Sequence, residues 1–158
     1  MSVAVISLGS KLEPRLEYLE RALAALASLP GTMLVKKSSV IETEGVDVPE
    51  EFKELKFLNQ VAILETTLEV HEFSRRMHAI EDSLGRVRTV PNGPRTIDLD
   101  LVDFDGLNLN EPELTLPHPR ARERDFVMLP LKELYEQENN INIKFDHADL
   151  LRRFGRNP

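Results

Sequence analysis

Between Val3 and Phe104 the chain alternates two hydrophobic periods, and that alternation limits the folds open to it more than any other feature. Val3–Leu8 is a short apolar, β-rich run that stops at Gly9-Ser10, as a buried strand does. Behind Pro14, Leu16, Leu19, Leu23 and Leu26 recur at helical spacing, and Pro30-Gly31 ends the pattern. Strands are expected over Met33–Thr43 and Leu58–Thr66. Val70, Phe73, Met77, Ile80 and Leu84 form a second helical stripe, with Gly85 fitting the C′ position. Thr96–Phe104 reads as a fourth strand. Residues 44–57 are acidic and without period, so they read as a long loop, and 86–95 are turn-rich.

The order β-α-β-β-α-β over residues 3–104 predicts an α+β fold, a ferredoxin-like sandwich with a C-terminal extension. In that extension the pattern gives a turn or hairpin at Gly106–Asn110 and a helix near Arg124–Tyr135, which Pro130 should break or kink. A strand at Ile141–Phe145 and a short helix at Ala148–Phe154 follow. With 158 residues and no linker or repeat, residues 1–158 read as one domain. A net charge of −7 argues against nucleic-acid or membrane-surface partners. The absence of cysteine excludes disulfides, thiolate metal sites and a cysteine nucleophile. MSVAVISLGS lacks a basic n-region, and no stretch approaches the ~20 apolar residues of a spanning helix. A cytoplasmic monomer is expected.

GPRTIDLDLVDF, residues 93–104, holds the strongest chemical signal. Strand alternation puts Ile97, Leu99 and Leu101 on one face and Asp98 and Asp100 together on the other, about 6.5–7 Å apart along the chain. Such a pair is either a solvated strand face or a holder of divalent cations, and hard oxygen ligands suit Mg²⁺ with phosphates. Arg86, Arg88, Arg95, Arg120, Arg122 and Arg124 bracket the pair, with no lysine from 85 to 124. The guanidinium fork matches phosphate oxygens, although nearby acids offer ordinary ion pairs as an alternative. His118, held between two prolines, is either a phosphate contact or an incidental turn residue. His78 and Glu81, at i and i+3, are a helical surface pair or ligands; no H-E-x-x-H motif is present. P-loop, dinucleotide-binding and nucleophile-elbow motifs are also absent.

These stretches, with VAVISLGSKLE, SSVIET, FLNQVAILET, IEDSLGRVR and LTLPHPRARERDFVMLPL, resemble the 6-hydroxymethyl-7,8-dihydropterin pyrophosphokinases of folate biosynthesis. The resemblance covers nearly the whole chain, and GPRTIDLD followed by LPHPR is its most specific part. It implies a transferase that moves pyrophosphate from ATP to the pterin, giving AMP, with two Mg²⁺ on Asp98 and Asp100. By the same resemblance, Arg86 and Arg95 join the aspartates as catalytic residues. His78, Glu81, Arg88, Leu101, Thr115, His118 and Arg124 would bind ATP. Thr43, Gly45, Val46, Phe57, Asn59 and Phe126 would bind the pterin, with Phe126 stacking and Phe57 a second wall.

The chain departs from the family pattern at four places. Gly9-Ser10-Lys11 stands where G-S-N is usual, and Thr43-Glu44-Gly45-Val46 replaces T-x-P-x-G before a loop that reads longer. There is no tryptophan in the loop before GPR, which offers Asn92, and Glu113 stands where some members carry arginine. Two rivals remain on the sequence: another Mg²⁺-dependent nucleotidyl or phosphoryl transferase, and a non-catalytic relative that binds nucleotide or a protein. Phe126 with Asn59 speaks against the first, since a flat heterocycle needs them. Intact Asp98, Asp100, Arg86 and Arg95 speak against the second.

Overall fold

The structure, a computed structural model, describes residues 1–44, 56–84 and 96–136. Its strands are β1 (Ser2–Ser10), β2 (Thr32–Lys37), β3 (Ile41–Glu44), β4 (Lys56–Thr66), β5 (Asp98–Phe104), β6 (Leu109–Glu111) and β7 (Leu114–Leu116). Its helices are α1 (Arg15–Ala27), α2 (Val70–Ser83) and α3 (Asp125–Glu136), with a 3₁₀ turn at Ala121–Glu123. The principal sheet is antiparallel and runs β2-β4-β1-β5, with β3 also paired to β4. The chain is therefore a mixed α/β protein with helices on both faces of the sheet.

Two-residue alternation divides the strand side chains between two cores. Ala4, Ile6, Leu8, Ala62, Leu64, Leu99 and Leu101 pack under α1 and α2, where Leu19, Leu23, Leu26, Phe73 and Met77 meet them. Val5, Val61, Ile63 and Val102 face the other way, under Val127, Leu131 and Leu134 of α3. Strands buried on both faces read as continuous apolar runs, which is why 61–64 carries no polar residue. A register shift opposite Val5/Ile6 adds one residue to β5, so Leu101 and Phe104, three residues apart, enter the same core.

Several expectations need correction. The single strand expected over Met33–Thr43 is two, β2 and β3, laid along opposite ends of the same edge of β4. Ser38 causes the break: its hydroxyl accepts the Val61 N–H, its carbonyl accepts Gln60 Nε2, and its own N–H reaches the Val61 carbonyl. A serine that offers such local partners competes with a regular ladder. Strand β4 begins at Lys56, and Glu44 ends β3, so both ends of the expected loop are strand; residues 45–55 lie outside the described residues. Leu16, assigned to the buried stripe of α1, is 51% exposed; the buried stripe is Leu19, Ala22, Leu23 and Leu26.

Strand β5 starts at Asp98, two residues after the expected Thr96, and a turn at Asp105-Gly106 leads into a β6–β7 hairpin. α3 runs through Pro130 without a break. The ring removes the bond to the Phe126 carbonyl in mid-helix, yet Pro130 is buried, so packing offsets that loss. Gly85, the strand expected at 141–145 and the helix expected at 148–154 lie outside the described residues.

Candidate active site

Asp98 and Asp100 enter the site from β5, the edge strand of the sheet. Ile97, Leu99 and Leu101 are buried under α2, so alternation turns both carboxylates to the α3 side. Leu99, between them, is pinned from the helix: its N–H donates to Glu81 Oε2 at 2.7 Å. Glu81 is only 3% exposed, and its Oε1 lies 2.8 Å from His78 Nδ1. One buried carboxylate thus braces the acidic strand and orients a histidine on α2.

Asp100 is half exposed and meets two basic side chains. Arg124 Nη1 lies 3.8 Å from Oδ2, and His118 Nε2 lies 4.0 Å from Oδ1. Arg124 is seated at the start of α3, where its carbonyl accepts the N–H groups of Val127 and Met128 at 3.0 Å. Its guanidinium carbon lies 5.5 Å from the Phe126 ring centroid, and its Nε is buried without a hydrogen-bond partner among the described residues. His118 is fixed by its backbone N–H on the Val102 carbonyl, while Nδ1 accepts the Arg120 N–H at 3.3 Å. That bond leaves the ring proton on Nε2, facing Asp100. Burial holds the His118 pKa below its ordinary value, with Arg124 and Arg120 adding to the effect and Asp100 opposing it. His118 is therefore a neutral donor at neutral pH.

A cleft of about 200 Å³ opens beside this cluster. Met77 and His78 of α2, Leu101 and Asp100 of β5, Thr115 of β7 and His118 contribute to its walls. Ligand pockets commonly span ~300–1,000 Å³, so this space holds part of a nucleotide rather than all of one.

A second group lies on the same sheet face. Gly9 of β1 pairs with Asp98 on one side and Asn59 on the other, and Asn59 pairs with Ile41. A Cβ on Gly9 would lie 3.3 Å from Asn59 Oδ1 and 3.6 Å from Phe57 Cδ1, so glycine lets both side chains lie over β1. Asn59 is buried, and its Nδ2 donates to Thr43 Oγ1, which leaves Oδ1 as an acceptor. Lys11, just beyond β1, places Nζ 4.8 Å from the Phe57 centroid.

Of the residues named from sequence, Asp100, His118, Arg124 and Phe126 form one cluster, with Asp98 next along the same face. His78, Leu101 and Thr115 line the adjoining cleft, and Thr43, Phe57 and Asn59 sit together on β3–β4. Glu81 is not in the cleft wall but braces it from behind. Arg86, Arg88, Arg95, Gly45 and Val46 lie outside the described residues. Sequence reasoning missed the part of Lys11 in this patch, although its departure from G-S-N was visible, and missed the bracing bond of Glu81. Among the described residues, no three His, Asp or Glu side chains converge as a metal cluster. Two carboxylates are hard oxygen ligands, a donor set that fits Mg²⁺, which binds through one or two carboxylates together with phosphate and water oxygens.

The sequence profile of the 7,8-dihydro-6-hydroxymethylpterin-pyrophosphokinase (HPPK) family matches residues 5–136. The chain belongs to this family. The HPPK named 2-amino-4-hydroxy-6-hydroxymethyldihydropteridine pyrophosphokinase from Bacillus subtilis is 38% identical over 136 residues, covering 86% of this chain and 80% of that one. The Methylorubrum extorquens protein of the same name is 35% identical, covering 85% and 83%. Folic acid synthesis protein fol1 of Schizosaccharomyces pombe is 35% identical over 84% of this chain, which spans only 18% of fol1. A solved HPPK-DHPS chain in complex with substrates superposes with a TM-score of 0.66 at 10% identity, over 84% of this chain and 40% of that one. Plasmodium falciparum HPPK-DHPS with pteroate gives 0.64 at 13%, over 97% and 42%. At such identities the likeness is one of fold.

Proposed function

We propose that this HPPK-family chain transfers pyrophosphate from ATP to 6-hydroxymethyl-7,8-dihydropterin, giving the pterin diphosphate and AMP, a step of folate biosynthesis. The observation that carries the reading is the meeting of Asp100, Arg124 and His118 beside Asp98, on the sheet face that also presents Asn59 and Phe57. In the reaction the hydroxymethyl oxygen bonds to the β-phosphorus of ATP, the bond from that phosphorus to the oxygen bridging it to the α-phosphorus breaks, and the hydroxyl proton is lost. Such a transfer needs positioning and charge stabilisation rather than a covalent nucleophile.

Asp98 and Asp100 would hold Mg²⁺, two ions in our reading, and the metal when bound neutralises phosphate charge. Arg124 offers a guanidinium with an uncommitted Nε to phosphate oxygens, and His118 offers Nε2–H. Arg86 and Arg95 are assigned to charge on the transferred group, and Arg88 to ATP, on the resemblance alone. His78, Leu101 and Thr115 would enclose part of the nucleotide, with Glu81 holding His78. Phe126 and Phe57 would stack the heterocycle, and Asn59 Oδ1 would accept from its edge. Thr43 orients that amide, and Gly45 and Val46 join this set on the resemblance alone.

The order β2-β4-β1-β5, with α1 and α2 on one face, supports the ferredoxin-like reading of residues 3–104. The net charge of −7 favours small-molecule partners over nucleic acid. We retain the expectation of a single-domain cytoplasmic monomer, to be checked by sedimentation and fractionation. The deciding experiment incubates the protein with ATP, Mg²⁺ and the hydroxymethyl dihydropterin and separates the nucleotides. AMP that forms only with the pterin is expected; ADP as the main product would replace this reading with a simple phosphoryl transferase.

A further inference from the structure

Two lysines are buried among the described residues, and they differ in how they are satisfied. Lys36 donates from Nζ to the Leu134 carbonyl at 3.2 Å. Lys11 is 3% exposed, and its Nζ has no hydrogen-bond partner among the described residues; it rests 4.8 Å from the Phe57 ring centroid. An ammonium carries three donors and no acceptor, and leaving them all unmade in a buried site is costly. A ring face returns only part of that cost. Burial accordingly lowers the pKa of Lys11. A buried group of this kind calls for a partner that arrives later.

The surroundings say what that partner is. The Ser10 hydroxyl donates to the Thr96 carbonyl, tying the end of β1 to the approach to β5 and placing Lys11 where the two strands part. Phe57 and Asn59 Oδ1 both lie over Gly9, so an unused acceptor, an aromatic face and an unused donor share one patch. The patch is on the β4 side of β1, whereas Asp100, His118 and Arg124 gather on the β5 side. Phosphate charge belongs to the second group. A flat heterocycle that carries N–H and an acceptor on one edge belongs to the first.

We propose that Lys11 is a specificity-determining residue for the heterocyclic substrate, its ammonium donating to the ring oxo oxygen or a ring nitrogen beside the edge read by Asn59. The assignment rests on the pyrophosphokinase reading and adds to it a residue that stands where the family usually has asparagine.

The test uses Lys11→Met, which keeps the alkyl chain against Phe57 and removes the ammonium. Binding of the pterin is followed by its own fluorescence, and KM and kcat are measured for pterin and ATP separately. We expect KM and Kd for the pterin to rise about tenfold or more, with kcat and the ATP KM within about twofold, the pattern of lost ground-state binding. The thermal midpoint should hold or rise, since an unpartnered ammonium has gone; Lys11→Leu, which also carries no donor, replaces this variant in every assay if it folds poorly. A 2,4-diamino analogue, which puts a donor in place of the oxo group, separates the two acceptors. Loss of the wild-type preference for the oxo compound assigns the oxygen, and equal weakening of both ligands assigns a ring nitrogen. Unchanged pterin affinity, or a loss confined to ATP, overturns the proposal. Wild type that binds no pterin removes the function reading itself, a result visible before any variant is made.

Discussion

At the residue scale the aspartate pair is the sharpest test of the site. Asp98→Asn and Asp100→Asn should each lower turnover at least ~100-fold, equivalent to about 2.7 kcal/mol of transition-state stabilisation. Neither should lower the thermal midpoint by more than a few degrees, because Asp100 is 44% exposed and removing one charge relieves repulsion within the pair. Activity measured beside the midpoint separates the roles, since a structural pair would lose both together. His118 behaves differently from a surface histidine. Its depressed pKa means that its neutral form is the folded one, so its contribution to stability is lost as pH falls below the ordinary histidine range.

At the element scale two contacts hold the walls of the cleft. Glu81→Ala removes the acceptor of the Leu99 N–H and the partner of His78. An orphaned backbone donor costs about 1–3 kcal/mol, so urea unfolding should show a loss of that size. Because β5 then loses its brace to α2, the ATP KM should rise as well; stability lost with KM unchanged would show that Glu81 serves the fold alone. The other contact is His71, near the start of α2. Its Nδ1 lies 2.6 Å from Glu69 and its Nε2 2.8 Å from Glu111 of β6, which joins the helix to the hairpin. Hydrogen bonding to Glu69, then to Glu111, raises the His71 pKa above 6.5. The sign follows: the bridge contributes fully below the unfolded value and fades as pH rises through the folded one. The midpoint of wild type minus that of His71→Gln should therefore shrink from pH 6 to pH 9. A difference independent of pH would mean that the bridge holds through neutral hydrogen bonds. Subtracting the variant cancels the opposite trend of His118.

At the scale of the whole molecule, one sheet separates two cores: the acidic cluster, Asn59 and Phe57 lie on its α3 face, while the cleft beside them reaches past the β5 edge to Met77 and Leu101 of the other core. Phe73 is fully buried on the α1–α2 side, with its ring centroid 5.8 Å from that of Phe104. Phe73→Ala should cost about 3–5 kcal/mol of unfolding free energy. The protein that remains folded at low temperature should keep the pterin KM of wild type, because Asn59 and Phe57 lie across the sheet from the cavity. Chemical unfolding curves and kinetics at 10–15 °C measure the two effects apart; a pterin KM that rises in step with the stability loss would show the two faces to be coupled.

The strands and helices were legible in the sequence wherever the hydrophobic period was long and clean. Ile97, Leu99 and Leu101 declared a strand face that points Asp98 and Asp100 the other way, and Phe73, Met77 and Ile80 declared the buried side of α2. Local periodicity determines such features because each side chain's direction follows from its neighbours on the same element. The breaks were not legible in this way. Ser38 divides an expected strand through bonds to Val61 and Gln60, and Pro130 stays inside α3 because burial offsets its missing donor. Sequence likeness also named His118, Arg124 and Asn59 without showing what stands beside them. Only the tertiary structure decided that Gly9 sits between Asp98 and Asn59, that Glu81 reaches Leu99 across 18 residues, and that Lys11 is buried on Phe57 with no hydrogen-bond partner among the described residues. The physical reason is that these relations are set by strand register and by packing between elements distant in sequence, which no local pattern encodes.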